Sequence, residues 1–172
     1  MHFHQSSLFL IGTLVLFGVS CAPVMHVTTA VTPNTDFRRY HVFSVHQANS
    51  TGDASLDEQI RCGIETELLY KGWSEVETLE PDIMVIQHAA TAAAHTYQAL
   101  YEDSPWRWPS DLVTNTTTFQ VGAIVVDIFD ARTHAVIWRG ATSSVTLGAS
   151  AADASMRVND ALGKLFKHFP SV

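Results

Sequence analysis

Two aspartates near the end of a β-rich run are the first residues whose type and spacing could support chemistry. Asp127 and Asp130 lie three positions apart, and two neighbouring carboxylates can divide acid and base roles or hold a cation. Asp130 also suits a turn, where aspartate bonds its own backbone, and Asp127 suits pairing with a cation or hydroxyl across a sheet. We therefore predict structural roles for both. If the turn comprises the four residues 131–134, Asp127 faces Trp138 across the hairpin.

The nine histidines could supply metal ligands, and the pairs to consider are His88 with His95 and His41 with His46. Histidines that chelate from one helix are spaced three or four positions apart, and no two histidines of this chain have that spacing. The two cysteines are too few for a zinc site built on cysteine pairs. We predict no metal site and no cofactor.

The sequence also lacks the motifs of common enzyme classes. It contains no G-x-S-x-G elbow, no P-loop and no G-x-G-x-x-G. A hydrolase would need an acid, a base or a nucleophile converging in a cleft, and nothing in the sequence indicates that convergence. We therefore predict that the protein is not an enzyme. Ten Lys plus Arg against seventeen Asp plus Glu give a net charge of −7, which repels polyanions, so nucleic acid is not an expected partner.

The N-terminal segment resembles the leader of a bacterial lipoprotein. Residues 8–19 form an uninterrupted apolar run of twelve, which is typical of a secretory signal and short for a membrane span. The run ends in Gly18-Val19-Ser20-Cys21, similar to a lipobox, although Gly18 replaces the usual leucine and no Lys or Arg precedes the run. The resemblance implies removal of residues 1–20 and lipidation of Cys21.

An ordinary secretory leader is the alternative. Cys21 would then be a chance residue or a disulfide partner for Cys62. In the lipoprotein interpretation, Ala22 follows the cysteine where an aspartate often retains such proteins in the inner membrane. The expected location is therefore the periplasmic face of the outer membrane, with the lipid anchor making the membrane a partner.

An aromatic segment, residues 96–111, lies between two predicted strands. It carries Tyr97, Tyr101, Trp106, Arg107 and Trp108. Tryptophan and arginine are favoured at the centres of interfaces, and tryptophan also suits the membrane–water boundary. The segment could contact an envelope protein, a glycan or a lipid, or it could fold back as a lid on an open sheet face.

Two amphipathic helices are predicted. The first begins at Ser55, whose capping box with Glu58 marks the start, and ends at Gly72. Cys62 lies within this helix and is expected to be a small buried residue. The second helix begins near residue 150, carries one apolar stripe and stops at Pro170.

β-Rich runs supply the sheet that both helices need. Strands are predicted as an opening pair within 24–45, a short strand at 73–76, a longer one at 82–88, and a hairpin of 116–129 with 135–147. This order favours an α+β fold, with a mixed, mainly antiparallel sheet and two helices packed on one face. The chain length suits one domain, residues 21–172.

Five segments also occur in the order found in a known family. They are Asp36-Phe37-Arg38-Arg39-Tyr40, Leu69-Tyr70-Lys71-Gly72-Trp73, Pro81-Asp82-Ile83-Met84-Val85, Val125-Val126-Asp127-Ile128-Phe129-Asp130-Ala131-Arg132 and Val136-Ile137-Trp138-Arg139-Gly140. The chain resembles the DUF4136 lipoproteins over nearly all of its length after the leader. The resemblance brings no catalytic residues, because the function of that family is undefined. His134 stands where the family usually has a turn glycine, and histidine adopts the left-handed conformation only at some cost, so the resemblance does not fix the geometry of this turn.

These observations favour a non-enzymatic envelope lipoprotein that binds another envelope component. The alternative is a periplasmic carrier of a small ligand or lipid, in which the sheet and the aromatic segment enclose an apolar pocket.

Overall fold

A computed structural model describes residues 25–76, 80–90, 95–96, 118–119, 122–142 and 151–170. The described strands are β1 Val27–Val31, β2 Val42–Gln47, β3 Ser74–Glu75, β4 Ile83–Ala90, β5 His95–Thr96, β6 Thr118–Phe119, β7 Ala123–Asp130 and β8 Val136–Thr142. The helices are a short 3-10 helix, Phe37–Arg39, and two α-helices, α1 Ala54–Tyr70 and α2 Ala151–Phe166. Among the described residues, no helix is long and apolar enough to cross a membrane.

A six-stranded sheet in the order β1-β8-β7-β4-β2-β3 forms the centre of the domain. β2 pairs in parallel with β3 and β4, and the remaining pairs are antiparallel. The parallel pairs follow from α1, which returns the chain to the end of the sheet where β2 began. β5 and β6 form a separate two-stranded sheet. The predicted mixed, mainly antiparallel sheet is confirmed.

The predicted opening strands exist, but they do not pair with each other. β8, β7 and β4 lie between β1 and β2 in the sheet. The connection contains the 3-10 helix, whose N-cap Asp36 accepts a hydrogen bond from the Arg38 N–H. Phe37 and Tyr40 are buried in the core, so this connection packs into the core and crosses to the far side of the sheet.

Both α-helices pack on one face of the sheet, as predicted. Their apolar stripes join alternate sheet residues in a single core. The stripes consist of Leu56, Ile60, Ile64 and Leu68 from α1 and Val158, Ala161, Leu162, Leu165 and Phe166 from α2. The opposite sheet face is also buried and includes Ile86 and Phe129. Every residue of β7 is buried, so this central strand is covered on both faces of the sheet.

Both ends of α1 are capped, but the N-cap residue is not the predicted one. Asp53 is the N-cap, and its carboxylate accepts from the Ser55 and Leu56 N–H groups. The Ser55 capping box is therefore wrong, because Asp53 already satisfies the first free amides. At the other end Gly72 has φ +87° and donates to the Leu69 carbonyl, while Trp73 donates to that of Leu68. This is a Schellman motif, which confirms Gly72 as the stop.

Cys62 is exposed, so its predicted burial is wrong. The apolar stripe of α1 runs through Ile60 and Ile64, and a residue midway between them lies outside that stripe.

The hairpin of β7 and β8 differs from the prediction in extent and register. Gly122, with φ +84°, precedes β7, so the predicted strand 116–129 is divided and its earlier part contributes the separate β6. Asp127 lies opposite Arg139, whereas Trp138 lies opposite Ile128. The predicted Asp127–Trp138 register is wrong because β8 has an extra residue, Ile137, between the partners of Ile128 and Phe129, which shifts the pairing by one residue.

Candidate functional site

An open groove between α1 and α2 is the clearest candidate site among the described residues. Its cavity volume is about 380 Å³. The lining includes Gln59, Cys62 and Thr66 from α1 and Ser155, Asn159 and Leu162 from α2. Most of these side chains end in hydroxyl or amide groups, so the groove can bind a polar partner through hydrogen bonds.

Glycines let the two helices approach closely below the groove. A Cβ at Gly63 would collide with Leu162 Cδ1, and one at Gly163 would lie 3.6 Å from the Glu67 carboxylate. The backbones therefore meet where Gly63 contacts α2, and the larger polar side chains on either side form the groove walls.

Gln59 gives the groove an unused acceptor. Its Oε1 is buried and accepts no hydrogen bond within the described residues. Its Nε2 makes a long contact of 3.4 Å with Ser55 Oγ. A buried carbonyl oxygen without a donor costs free energy, and rotation of the Gln59 side chain toward the groove would let a bound partner donate to this oxygen.

Cys62 is poorly suited to act as a nucleophile in this groove. Burial and the hydrogen bond to Glu58 raise the pKa of the thiol, and the Sγ–Oε1 distance is 3.3 Å. Nucleophilic attack requires the thiolate, so Cys62 is a neutral groove residue near pH 7.

A cluster of carboxylates lies beside the groove, where α1 meets the edge strand β3. Arg61 bonds Glu58 at 2.6 and 2.9 Å, pairs with Glu65, and lies 3.9 Å from Glu75. The hydrogen bond from Arg61 lowers the pKa of Glu58 to about 2. Burial, followed by the hydrogen bond to Glu75 and its charge, raises the pKa of Glu65 to about 7.

This cluster predicts a pH-dependent stability. The folded pKa of Glu65 lies above its ordinary value of 4.5, so its favourable contribution is complete below that value and is lost as pH rises through about 7. Glu65→Gln keeps the hydrogen bond without the charge. Above about pH 7 we expect the variant to have a higher free energy of unfolding than the parent, by on the order of 1–2 kcal/mol after allowing for screening by solvent.

Urea unfolding at about pH 5 and about pH 8 measures this effect. Glu67→Gln is the matched control, because Glu67 lies on the same helix but faces Gly163 of α2. Equal pH dependence in the parent and in Glu65→Gln would contradict the prediction.

Asp127 and Asp130 are held by basic and hydroxyl partners. Asp127 forms a two-point ion pair with Arg139, with one contact at 3.0 Å, which confirms the predicted cross-strand cation. His88 Nε2 lies 3.6 Å from Asp127 Oδ2, and both side chains are fully buried. This charged group lies within the sheet face opposite the helices, where Ile86 and Asp127 are neighbours in the ladder.

Asp130 closes the hairpin, as predicted. Its Oδ1 accepts from the N–H groups of Arg132 and Thr133, and its Oδ2 accepts from Arg39 at 2.9 Å and the Tyr40 hydroxyl at 3.0 Å. Burial acts to raise the pKa of this carboxyl, but the bonds from Thr133, Tyr40 and Arg132 outweigh it and lower the pKa. Both oxygens are therefore used to fix the turn.

The geometry of the hairpin turn, which the sequence left open, includes a left-handed residue at the position of the family's usual glycine. His134 has φ +58°, in the left-handed region that favours glycine. Its N–H donates to the Asp130 carbonyl at 2.8 Å, which helps to hold this conformation.

The other histidines considered as ligands are spread over several elements. His46 on β2 contacts Ser44 Oγ at 2.8 Å, and burial lowers its pKa. His41 precedes β2, and its backbone N–H donates to the Asp82 carboxylate. Within the described part of the chain, no group of three or more His, Cys, Asp or Glu side chains could hold a metal ion.

Cys21 and the aromatic residues Tyr97, Tyr101, Trp106, Arg107 and Trp108 lie outside the described residues. The groove between the helices was missed at the sequence level, because polar residues on the outer side of an amphipathic helix look like ordinary solvent-facing positions. A glycine in each helix interior, Gly63 and Gly163, was the available signal for a close helix crossing.

The order of strands and helices and the hairpin now permit comparison with known proteins. A sequence model described as "Domain of unknown function (DUF4136)" matches residues 27–171. The chain belongs to the DUF4136 family. A search of curated proteins gives no match.

One solved structure of the DUF4136 family has the same fold. A crystal structure of a DUF4136 family protein from Bacteroides thetaiotaomicron is similar at TM-score 0.63 and 13% identity, covering 86% of this chain and 96% of that one. A PDZ domain protein from Parabacteroides distasonis gives TM-score 0.49 at 16% identity over 86% of this chain and 37% of its own. The PelC dodecamer from Paraburkholderia phytofirmans gives TM-score 0.46 at 14% identity, covering 83% and 94%. At these identities the first likeness shows the fold alone, and the other two support no argument.

Proposed function

We propose that this protein is an exported, non-enzymatic lipoprotein, anchored through Cys21, whose domain binds another envelope component in the groove between α1 and α2. The observation that carries the binding role is the groove itself, which is lined by Gln59, Thr66, Ser155 and Asn159; the buried Oε1 of Gln59 also accepts no hydrogen bond within the described residues. The leader sequence Gly18-Val19-Ser20-Cys21 supports the anchor. The proposed location remains the periplasmic face of the outer membrane.

The chemistry of the groove favours a polar partner. Thr66, Ser155 and Asn159 offer hydroxyl and amide groups along its walls, and a peptide backbone or a glycan carries matching donors and acceptors. A lipid carrier needs an apolar enclosure, and this open, polar groove is poorly suited to that role. The carrier alternative therefore depends on the aromatic segment, which we propose as a second contact surface.

Site-specific photo-crosslinking in intact cells tests the binding role. A photoreactive residue is placed at Thr66 or at Ser155, on opposite walls of the groove, and at exposed Thr133 in the hairpin turn as the control. We expect the same discrete adduct from both groove positions and none from Thr133. Gln59→Ala should lower the adduct yield by about fivefold, because one hydrogen bond contributes on the order of 1 kcal/mol. Mass spectrometry then identifies the adduct as polypeptide or glycan.

The same cells test the anchor separately. Cys21→Ala should release the protein from the membrane fraction, since stable retention requires acyl chains. Unchanged membrane association in that variant would contradict lipidation. The proposal that the groove binds a partner would still stand. Adducts that are equal at all three crosslinking positions, or absent from both groove positions, would contradict binding in the groove.

A further inference from the structure

β1 is an open edge of the six-stranded sheet. Only β8 pairs with it among the described strands, and residues Thr28 to Val31 are exposed. The strand has the sequence Val-Thr-Thr-Ala-Val, without charge, proline or glycine. Sheet edges are normally protected by charges, prolines, bulges or short length. The opposite edge has such protection, because β3 has only two residues and one of them is Glu75.

The backbone of β1 presents a regular row of free hydrogen-bonding positions. Thr32 N–H donates to the Ile137 carbonyl at 3.0 Å, just beyond the end of the strand. Bonds to one neighbour alternate along an antiparallel strand, so Thr28 and Ala30 bond toward β8. The N–H and C=O groups of Val27, Thr29 and Val31 therefore point away from the sheet.

The outward-facing backbone groups of β1 can pair with the same groups of β1 in a second copy. In an antiparallel pair centred on Thr29, Val27 lies opposite Val31 of a second copy, and Thr29 lies opposite its own equivalent. The positions that meet in this register all have outward-facing backbone groups, which permits about six main-chain hydrogen bonds. The side-chain pairs are valine with valine and threonine with threonine, both favourable on a sheet.

We propose that β1 pairs with β1 of a second copy, antiparallel and centred on Thr29, to join two six-stranded sheets across a two-fold axis. The interface is isologous, because each copy contributes the same strand. It favours a second copy over an unrelated strand because the register matches both backbone and side chains to themselves. Because β1 has no charged residue, the acidic residues that give the chain its net charge of −7 lie outside the contact. Five residues per copy make a small interface, so the dimer is weak and depends on concentration.

Opposite charges at the centre of the pair test this register. Thr29→Lys and Thr29→Glu each place like charges opposite one another, so each purified full-length variant should have a dimer dissociation constant at least about fivefold above that of the parent. An equal mixture of the two should restore association. Tyr70→Lys and Tyr70→Glu, at an exposed position of α1 that does not line the groove, are the matched controls and should behave like the parent. The readout is particle mass by light scattering over a concentration series, with the detergent contribution subtracted.

Cysteine crosslinking gives an independent test that tolerates weak association. In a Cys62→Ser background, Thr29→Cys places two sulfurs at a hydrogen-bonded pair, where Cα atoms are about 5.5 Å apart and a disulfide can form. Thr28→Cys is the control, because Thr28 lies opposite Ala30 of the second copy. With added oxidant we expect a covalent dimer from the Thr29 variant and little from the Thr28 variant.

Several results would overturn the proposal. These are a parent that stays monomeric at all concentrations, a mixture of charged variants that fails to associate, or equal crosslinking at Thr28 and Thr29. Circular dichroism of every variant checks the fold, because side-chain changes at an exposed edge position should leave the β1–β8 pairing intact. The groove crosslinks described above do not depend on this pairing, so either proposal can fail alone.

Discussion

Asp127→Asn is expected to destabilise the domain by about 3–5 kcal/mol, because it removes the buried carboxylate charge that bonds the Arg139 guanidinium at two points. The Asp127 side chain is fully buried and that of Arg139 is 14% exposed. The two meet directly across β7 and β8, beside the fully buried His88 and the apolar Ile86 and Phe129. Water cannot replace the carboxylate there as it would at the surface. Urea unfolding at neutral pH measures the loss.

An exposed ion pair on the same chain supplies the matched control. Asp36 and Arg38 are 53% and 79% exposed in their side chains, so Asp36→Asn should leave the stability close to that of the parent, because solvent screens an exposed pair. The double replacement Asp127→Leu with Arg139→Leu should cost less than Asp127→Asn alone, since removing both charges leaves neither of them buried. A loss below about 1 kcal/mol for Asp127→Asn, or a double variant that is the less stable of the two, would contradict this account.

Local patterns in the sequence were sufficient to predict the fold class and most elements. The stripes of α1 and α2 repeat at helical spacing, and Gly72 ends α1 through a left-handed residue that few other side chains tolerate. Asp130 was expected in a turn because aspartate caps its own following amides, and the structure shows those two bonds. Such features depend on residues within a few positions of each other, so they can be read from one sequence.

The order of the strands in the sheet and their register could not be predicted from such local patterns. β1 and β2 are close in sequence but separated by three strands, because the buried side chains of Phe37 and Tyr40 lead the connection through the core. The register of Asp127 depended on one irregularity in β8, and a shift by one residue changes every opposing side chain. The groove likewise arises only when two helices far apart in sequence meet at Gly63.

Gly140 illustrates how one small residue permits the packing of a large one. Trp138 and Gly140 lie two positions apart on β8, and the fully buried indole of Trp138 covers the glycine. That indole stacks on Phe166 with ring centroids 5.5 Å apart and meets Phe169 edge-on at 5.2 Å. The ring is held by α2 and by the residues that follow it, so it cannot move aside when volume is added beneath it.

Gly140→Ala should therefore destabilise the protein by about 1–3 kcal/mol, even though alanine loses less backbone entropy than glycine on folding. The added Cβ would lie 2.9 Å from Trp138 Cζ2 and 2.7 Å from Leu165 Cδ1, both well inside van der Waals contact. Gly163→Ala is the control, because its Cβ would lie 3.6 Å from Glu67 and alanine favours a helix interior by about 1 kcal/mol. Urea unfolding and the tryptophan signal in near-ultraviolet circular dichroism measure both variants. If Gly140→Ala matches the parent in stability and signal, Trp138 must have room to shift, and the packing of α2 against β8 is looser than these distances imply.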